Sequence, residues 1–336
     1  MSTSMWAGLG PMVMQGGKAP KGESAPTLRG PSIPAKERLR RCAEMILDTY
    51  MSGQRDSLLA LREASYWVRP NWPVFITKIL GYELCPFHAE WFRFQLQNRK
   101  TILLAPRGHG KSIICTIAFA LWKILNNPEI RILIASKTMN QAELLAREIQ
   151  LHLERNQRLR LFWGDLVGPV WRTDQFIVKR RGIFKEPTVK AIGILGALPS
   201  WHFDMILIDD PHDLSNCATA GQREKVWRWF TQVCLPTLEP EGEIHVIGTR
   251  WHPDDLFGRL MAGGEYAVLR SPALGPNGPL WPEKFPAEML EAIRRQSPLA
   301  FQLQYQCDVV QGAEFGAVFR GDCFEPITED PERLRA

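Results

Sequence analysis

No run of apolar residues in this 336-residue sequence approaches the roughly 20 needed to span a bilayer. The chain does not open with the charged, apolar and small-residue pattern of a secretory leader. A membrane or secreted protein is therefore not expected. Cysteine is sparse. The seven are scattered, odd in number, and none stands in a CxxC pair. That argues against a disulfide framework and a zinc site, and for reduced thiols in a cytosolic setting. Charge of one sign is also in short supply. The net charge is +5, and the first 41 residues carry seven cations against Glu23 and Glu37. The whole excess thus lies in that arm, and a claim on nucleic acid cannot rest on total charge. No internal repeat is present.

What is present suffices for a large core. The chain is 45% apolar, and its length fits one large domain or two smaller ones. Twelve tryptophans are expected in cores or lining grooves. The stretch TILLAPRGHGKS (101–112) carries the sharpest chemistry. A short apolar run enters a Gly/Pro turn, and an amphipathic segment, Ser112 to Leu125, follows. Strand, tight loop and helix form the setting of a P-loop. Gly108 and Gly110 let the backbone wind close to phosphate with its N–H groups pointing inward, and Arg107, Gly108, His109 and Gly110 are candidate nucleotide-binding residues of the loop. Lys111 would place an ammonium on the β- and γ-phosphates of ATP, and the Ser112 hydroxyl would ligate Mg²⁺. The helix N-terminus adds partial positive charge. One position departs from the usual pattern, which opens on Gly where this chain has Ala105.

A second motif, FDMILIDD (203–210), reads as a buried parallel strand ending in two acids. This is a Walker B pattern. Asp209 would hold Mg²⁺ through its water shell, and Asp210 would orient and deprotonate the attacking water. Most ATPases of this kind carry Glu at the second acid, so Asp210 is a methylene shorter. A further strand, Glu243 to Gly248, ends at Thr249, a candidate sensor of the γ-phosphate. Arg250 could meet phosphate or form a salt bridge to nearby acids; both readings stay open.

Around these motifs, residues 1–34 read as a disordered basic arm. Helical periodicity from Ala35 to Tyr50, and a second segment from Asp56 to Trp67, predict an N-terminal appendage over 35–80. Residues 86–95 predict a helix ahead of the P-loop strand. Phe87 or Trp91 could stack there on adenine, and His88 or Gln95 could bond its edge; plain helix packing is the alternative. Arg131 to Ser136 predicts a strand and Thr138 to Arg155 a helix. Strands are expected at Gln175–Lys179 and Thr188–Ile192. The basic stretch between them (Lys179, Arg180, Arg181, Lys185, Lys190) could contact a phosphate backbone or form a solvated hairpin. Short helices are expected over Pro286–Gln296 and from Ser297 to about Gln306.

The motifs APRGHGKS (105–112), DDP (209–211) and GTRWHPDDL (248–256), in this order and spacing, resemble the large subunit of tailed-phage terminases from about Pro86 to Gln306. The resemblance implies an α/β P-loop NTPase of RecA-like, ASCE type. It would have a central, mostly parallel sheet flanked by helices, an N-terminal helical appendage and a small C-terminal lid. The expected divisions are an ATPase core over 81–252, a lid over 253–310 and a linker over 311–336 towards a nuclease domain the chain has no room for. The activity implied is ATP hydrolysis driving double-stranded DNA into a procapsid, without DNA cleavage. Arg107 looks like the family's coupling arginine and would also join Lys111 as a catalytic residue stabilising charge that develops on the γ-phosphate; Lys111, Asp209, Asp210 and Thr249 take the roles derived above. The implied partners are a portal protein, a small terminase subunit and further copies in a ring, in the host cytoplasm. The family often carries Gly-Arg before the Walker B strand, where this chain has Ser200 and Trp201. Arg147, Arg180, Arg181 and Arg250 are the remaining candidates for an arginine acting in trans. Two rival readings stand beside the motor: a helicase-like ATPase, which would need a second RecA-like domain, and a nucleotide-binding assembly adaptor that does not hydrolyse.

Overall fold

A computed structural model describes Arg69 and residues 71–309 of the chain. The basic arm, the two predicted helices over 35–67 and the segment 311–336 lie outside the described residues. The first described element, α1 (72–80), carries Val74, Phe75, Ile76, Ile79 and Leu80 into the main core. This part of the expected appendage thus packs into the main core.

An eight-stranded sheet runs in the order β3-β4-β5-β2-β6-β7-β1-β8. Six of the strands are mutually parallel: β5 (Val189–Gly193), β2 (Ile132–Ser136), β6 (Phe203–Asp209), β7 (Leu238–Gly248), β1 (Lys100–Leu104) and β8 (Ala267–Arg270). The antiparallel edge is β4 (Gln175–Val178) with β3 (Val167–Trp171). One strand, β7, separates the P-loop strand β1 from the acid-bearing strand β6. That insertion is the ASCE arrangement, and it makes the chain an α/β P-loop fold.

The apolar runs are continuous because both faces are covered. On β1, Leu103 and Ala105 join one core, while Ile102 and Leu104 join the other. On β6 the alternation repeats, with Met205 and Leu207 to one side and Ile206 and Ile208 to the other. The first core is closed by α2 (Pro86–Gln97), α3 (112–126), α4 (Met139–Arg155) and α5 (Gln157–Trp163). The second is closed by α6 (Ala220–Trp229) and α7 (Leu256–Gly263). The Thr138 hydroxyl caps α4 by accepting the Gln141 N–H at 3.2 Å.

Two expectations are corrected. The segment after the P-loop is buried on nearly all sides, because neighbouring helices cover the face away from the sheet. Its first seven residues wind as a π-helix. The lid is also smaller than 253–310. Strand β8 pairs with β1 and belongs to the main sheet, and Phe257 and Leu260 of α7 sit in the second core. Only beyond Ser271 does a separate small core form, from Ala273, Leu290 and Phe301. It lies around α8 (Ala287–Gln296) and α9 (Pro298–Gln304). No helix among the described residues is long and apolar enough to cross a membrane.

Candidate active site

The parallel register brings Leu104, Ser136, Asp209 and Gly248 to one edge of the sheet. The loop after β1 begins as an extension of the strand, with the Ala105 N–H donating to the Gly248 carbonyl at 3.1 Å. Ala105 is fully buried and its methyl packs in the first core. Its backbone is not among those with positive φ, so glycine is unnecessary there. Gly108 and Gly110 differ. Both are left-handed, at φ 78° and 79°, a conformation glycine adopts without steric cost. A Cβ at Gly108 would fall 2.8 Å from the Phe285 ring, and one at Gly110 would fall 3.1 Å from His88 Nε2.

Lys111 follows, with its ammonium 2.9 Å from Asp210 Oδ2. Burial works against its charge, but Asp210 and Asp209 outweigh burial and raise its pKa. Asp209 is buried and accepts from the Ser112 hydroxyl at 2.9 Å and the Thr116 hydroxyl at 2.5 Å. Loss of solvent, then the neighbouring Asp210, raises its pKa. Asp210 sits at φ 45°, in the small left-handed region that Asp tolerates. Its N–H is tied to the Ile247 carbonyl at 2.8 Å. The two acids therefore face different ways, one into the Ser112–Thr116 hydroxyls and one onto Lys111. A cavity of about 290 Å³ opens here, lined by Arg107, Lys111, Lys137, Asp210, Asp213 and Thr249. Lys137, just past β2, pairs with Asp213. Sequence reasoning missed both, although a lysine one residue beyond a core strand's C-terminal end was the available signal.

Arg107, Gly108, His109, Gly110, Lys111, Ser112, Asp209, Asp210 and Thr249 come together at this edge. Trp91 and Phe87 do not offer a face to a base. Trp91 is fully buried and donates its indole N–H to the Ser271 hydroxyl at 2.8 Å. Phe87 packs tilted on Trp91 and against Trp281. Gln95 is buried and donates its amide N–H to the Cys115 carbonyl at 3.1 Å. Helix packing accounts for these residues, because the helix carries an aromatic wedge into the core.

Arg250 also resolves. It is 8% exposed, and its Nε donates to Asp255 Oδ2 at 3.1 Å. Its Nη2 donates to the His252 and Pro253 carbonyls. Asp255 is fully buried and accepts further from the Trp251, His252 and Gly258 N–H groups. Arg250 is thus the brace of the loop after β7, and it is removed from the trans-acting candidates. Substituting Arg250 with Ala strands a buried carboxylate and is expected to cost about 3 kcal/mol in urea unfolding. Arg250→Lys should recover little, since one ammonium cannot reach three acceptors in that geometry. A loss under about 1 kcal/mol would contradict this role. The basic stretch is likewise engaged. Lys179 pairs with Asp165 at 2.5 Å and Lys190 with Asp174 at 2.7 Å. Arg180 donates to the Glu186 carbonyl at 2.6 Å, and Lys185 to the Ser200 carbonyl. Arg180 and Arg181 precede β5, at the sheet edge opposite the cavity, so they cannot serve it in cis. Arg147, on α4, is held by Glu154 at 3.1 Å.

No protein-family model matches the chain. It is 30% identical over 244 residues to a terminase large subunit of Enterobacteria phage T3, which is 71% of this chain and 38% of that protein. The chain therefore spans under two fifths of the length of that relative. Among solved structures, the ATPase domain of the Thermus phage P74-26 large terminase is similar at TM-score 0.48 and 16% identity, covering 70% of this chain and 97% of that one. The large terminase of another thermophilic bacteriophage is similar at TM-score 0.43 and 13% identity, covering 66% and 52%. These superpositions are too loose to bear on residue roles.

Proposed function

We propose that this chain, a relative of phage terminase large subunits, is the ATP-hydrolysing motor portion of a DNA-packaging terminase, acting on double-stranded DNA in the host cytoplasm. The carrying observation is the Lys111–Asp210 ion pair at the mouth of a glycine-wound loop. Lys111 pairs with the carboxylate that the chemistry needs. Phosphate oxygens arriving on the loop compete for the ammonium and release Asp210 towards water. Lys111 and the loop N–H groups then stabilise charge as it develops on the γ-phosphoryl, and Asp210 orients and accepts a proton from the water. The site would engage this base only when substrate is in place.

The Ser112 hydroxyl and Asp209 carboxylate are hard oxygen donors already in contact, which suits Mg²⁺. When bound there, Mg²⁺ would neutralise phosphate charge. Thr249, just past β7, would sense the γ-phosphate. Arg107 would carry that state outward. Its N–H and Nη1 donate to the Gln304 carbonyl and side chain, both at 2.9 Å, so the loop is tied to α9. Partners of the assembled motor would be a portal protein, a small terminase subunit and neighbouring copies, one of which supplies an arginine.

Phosphate release from ATP tests this, with and without duplex DNA and across protein concentration. Wild type is expected to hydrolyse, faster per chain as copies associate. Lys111→Ala should lose at least about a hundredfold. Nucleotide binding without hydrolysis under every condition would sink the motor and leave an adaptor. Strand displacement would favour a helicase.

A further inference from the structure

Three consecutive carbonyls of the phosphate loop are each held from behind by a side chain. His109 Nδ1 lies 2.9 Å from the Arg107 carbonyl oxygen. Lys284 Nζ lies 2.9 Å from the Gly108 oxygen. His88 Nε2 lies 2.7 Å from the His109 oxygen. Carbonyl oxygens only accept, so each of these nitrogens donates. For His88 the tautomer is independently set, because Nδ1 accepts the Cys85 N–H at 3.2 Å. Its proton must therefore sit on Nε2.

No peptide bond among the described residues is cis. In a trans peptide the carbonyl and the following N–H point in opposite directions. Pinning the carbonyls of Arg107, Gly108 and His109 therefore turns the N–H groups of Gly108, His109 and Gly110 to the opposite side of the loop. We infer that His88, His109 and Lys284 are positioning residues that aim these three N–H groups at the nucleotide's phosphates. This rests on the nucleotide reading above and extends it to side chains that need not touch the ligand.

The surroundings fit such a task. His88 is 2% exposed and His109 fully buried. His88 is boxed by Phe87, Trp91 and Trp281. His109 stacks on Phe285 at 4.4 Å and 9°. Burial holds both imidazoles below their usual pKa, His109 at about 4. Both thus stay neutral near pH 7, each with one proton to give. Rings locked on several sides cannot swing away, so each donor keeps its aim. The third donor is different. Lys284 is exposed, lies 4.6 Å over the Trp281 ring, and belongs to the segment leading into the small C-terminal core. Trp281, which boxes His88, and Phe285, which stacks on His109, flank Lys284 on that same segment, so all three supports draw on it. Docking of the lid would therefore complete the phosphate nest, and nucleotide affinity would report the position of the lid.

The test is titration of wild type and variants with a fluorescent ADP analogue, beside thermal unfolding and ATPase kinetics. His88→Phe keeps a ring and removes the donor, and should weaken ADP about tenfold. His88→Gln supplies an amide donor and should recover most of it. Lys284→Met keeps contact with Trp281 and should weaken ADP about threefold or more, with Lys284→Arg restoring it. In each case the KM for ATP should rise more than kcat falls. Equal weakening in His88→Phe and His88→Gln would mean packing alone and overturn the inference. So would unchanged ADP affinity in Lys284→Met, a surface change that decides the matter if His88→Phe does not fold. A wild type that binds no ADP would overturn the nucleotide reading itself, a result distinct from either.

Discussion

Asp210→Asn is expected to reduce ATP hydrolysis about a thousandfold while leaving ATP binding intact or tighter. The two effects have separate causes. Asn keeps the size and can hold a water, but it cannot take that water's proton. It also removes a negative charge beside the site of the γ-phosphate and frees Lys111, whose ammonium is 2.9 Å from the carboxylate. ATP would then meet an unpaired lysine and less repulsion. Single-turnover phosphate release should fall together with the steady-state rate, because the chemical step is the one affected. Equilibrium titration should show no loss of affinity. A variant that hydrolyses within about tenfold of wild type would remove Asp210 as base. One that neither binds nor hydrolyses would make the Lys111–Asp210 pair structural. Asp209→Asn should look different. Asp209 accepts from the Ser112 and Thr116 hydroxyls, while the ion pair of Lys111 is to Asp210, so its loss should be felt through the Mg²⁺ dependence of the rate.

The elements that could be read in advance were those where one physical constraint dominates. A strand buried on both faces must be apolar throughout, so β1, β2 and β6 stood out. Left-handed backbone near phosphate demands glycine, so Gly108 and Gly110 marked the loop. Two acids at a strand end marked Asp209 and Asp210. Helical spacing of Ala142, Leu145, Ile149 and Leu153 placed the start of α4 within a residue. What escaped reading depended on contacts distant in sequence. Strand β8 has only four residues with alternating partial burial, and nothing in them announces pairing to β1. The lid boundary moved for that reason. His88, Trp91 and Gln95 looked like ligand contacts because helix position was visible and side-chain direction was not. Arg250 was ambiguous until Asp255 proved fully buried beneath it. Lys284 lies 176 residues from the carbonyl it supports, and no local pattern could have linked them.

Gly248→Ala should lower kcat by about a hundredfold with the P-loop untouched. Gly248 ends β7, between the two motif strands, with Leu104 as its register partner on β1. Its backbone is not in the left-handed region, so conformational freedom is not the reason for glycine here. Space is the reason. A Cβ would lie 2.9 Å from Asp210 Oδ1 and 2.8 Å from the Phe257 ring. Phe257 is fully buried in the second core and has nowhere to go. Asp210 is 39% exposed at its side chain, so it yields first and turns off its aim. The Asp210 N–H would still hold the Ile247 carbonyl, so the fold should survive with a loss of about 1–2 kcal/mol from overpacking. The signature is a fall in kcat with little change in ADP affinity, the reverse of that expected for His88→Phe. Two substitutions, one behind the phosphate loop and one against Asp210, would then separate holding the phosphates from attacking them. An unchanged kcat in Gly248→Ala would show that the carboxylate can do its work from a displaced position. The close fit between strand tip and acid would then have no part in the chemistry.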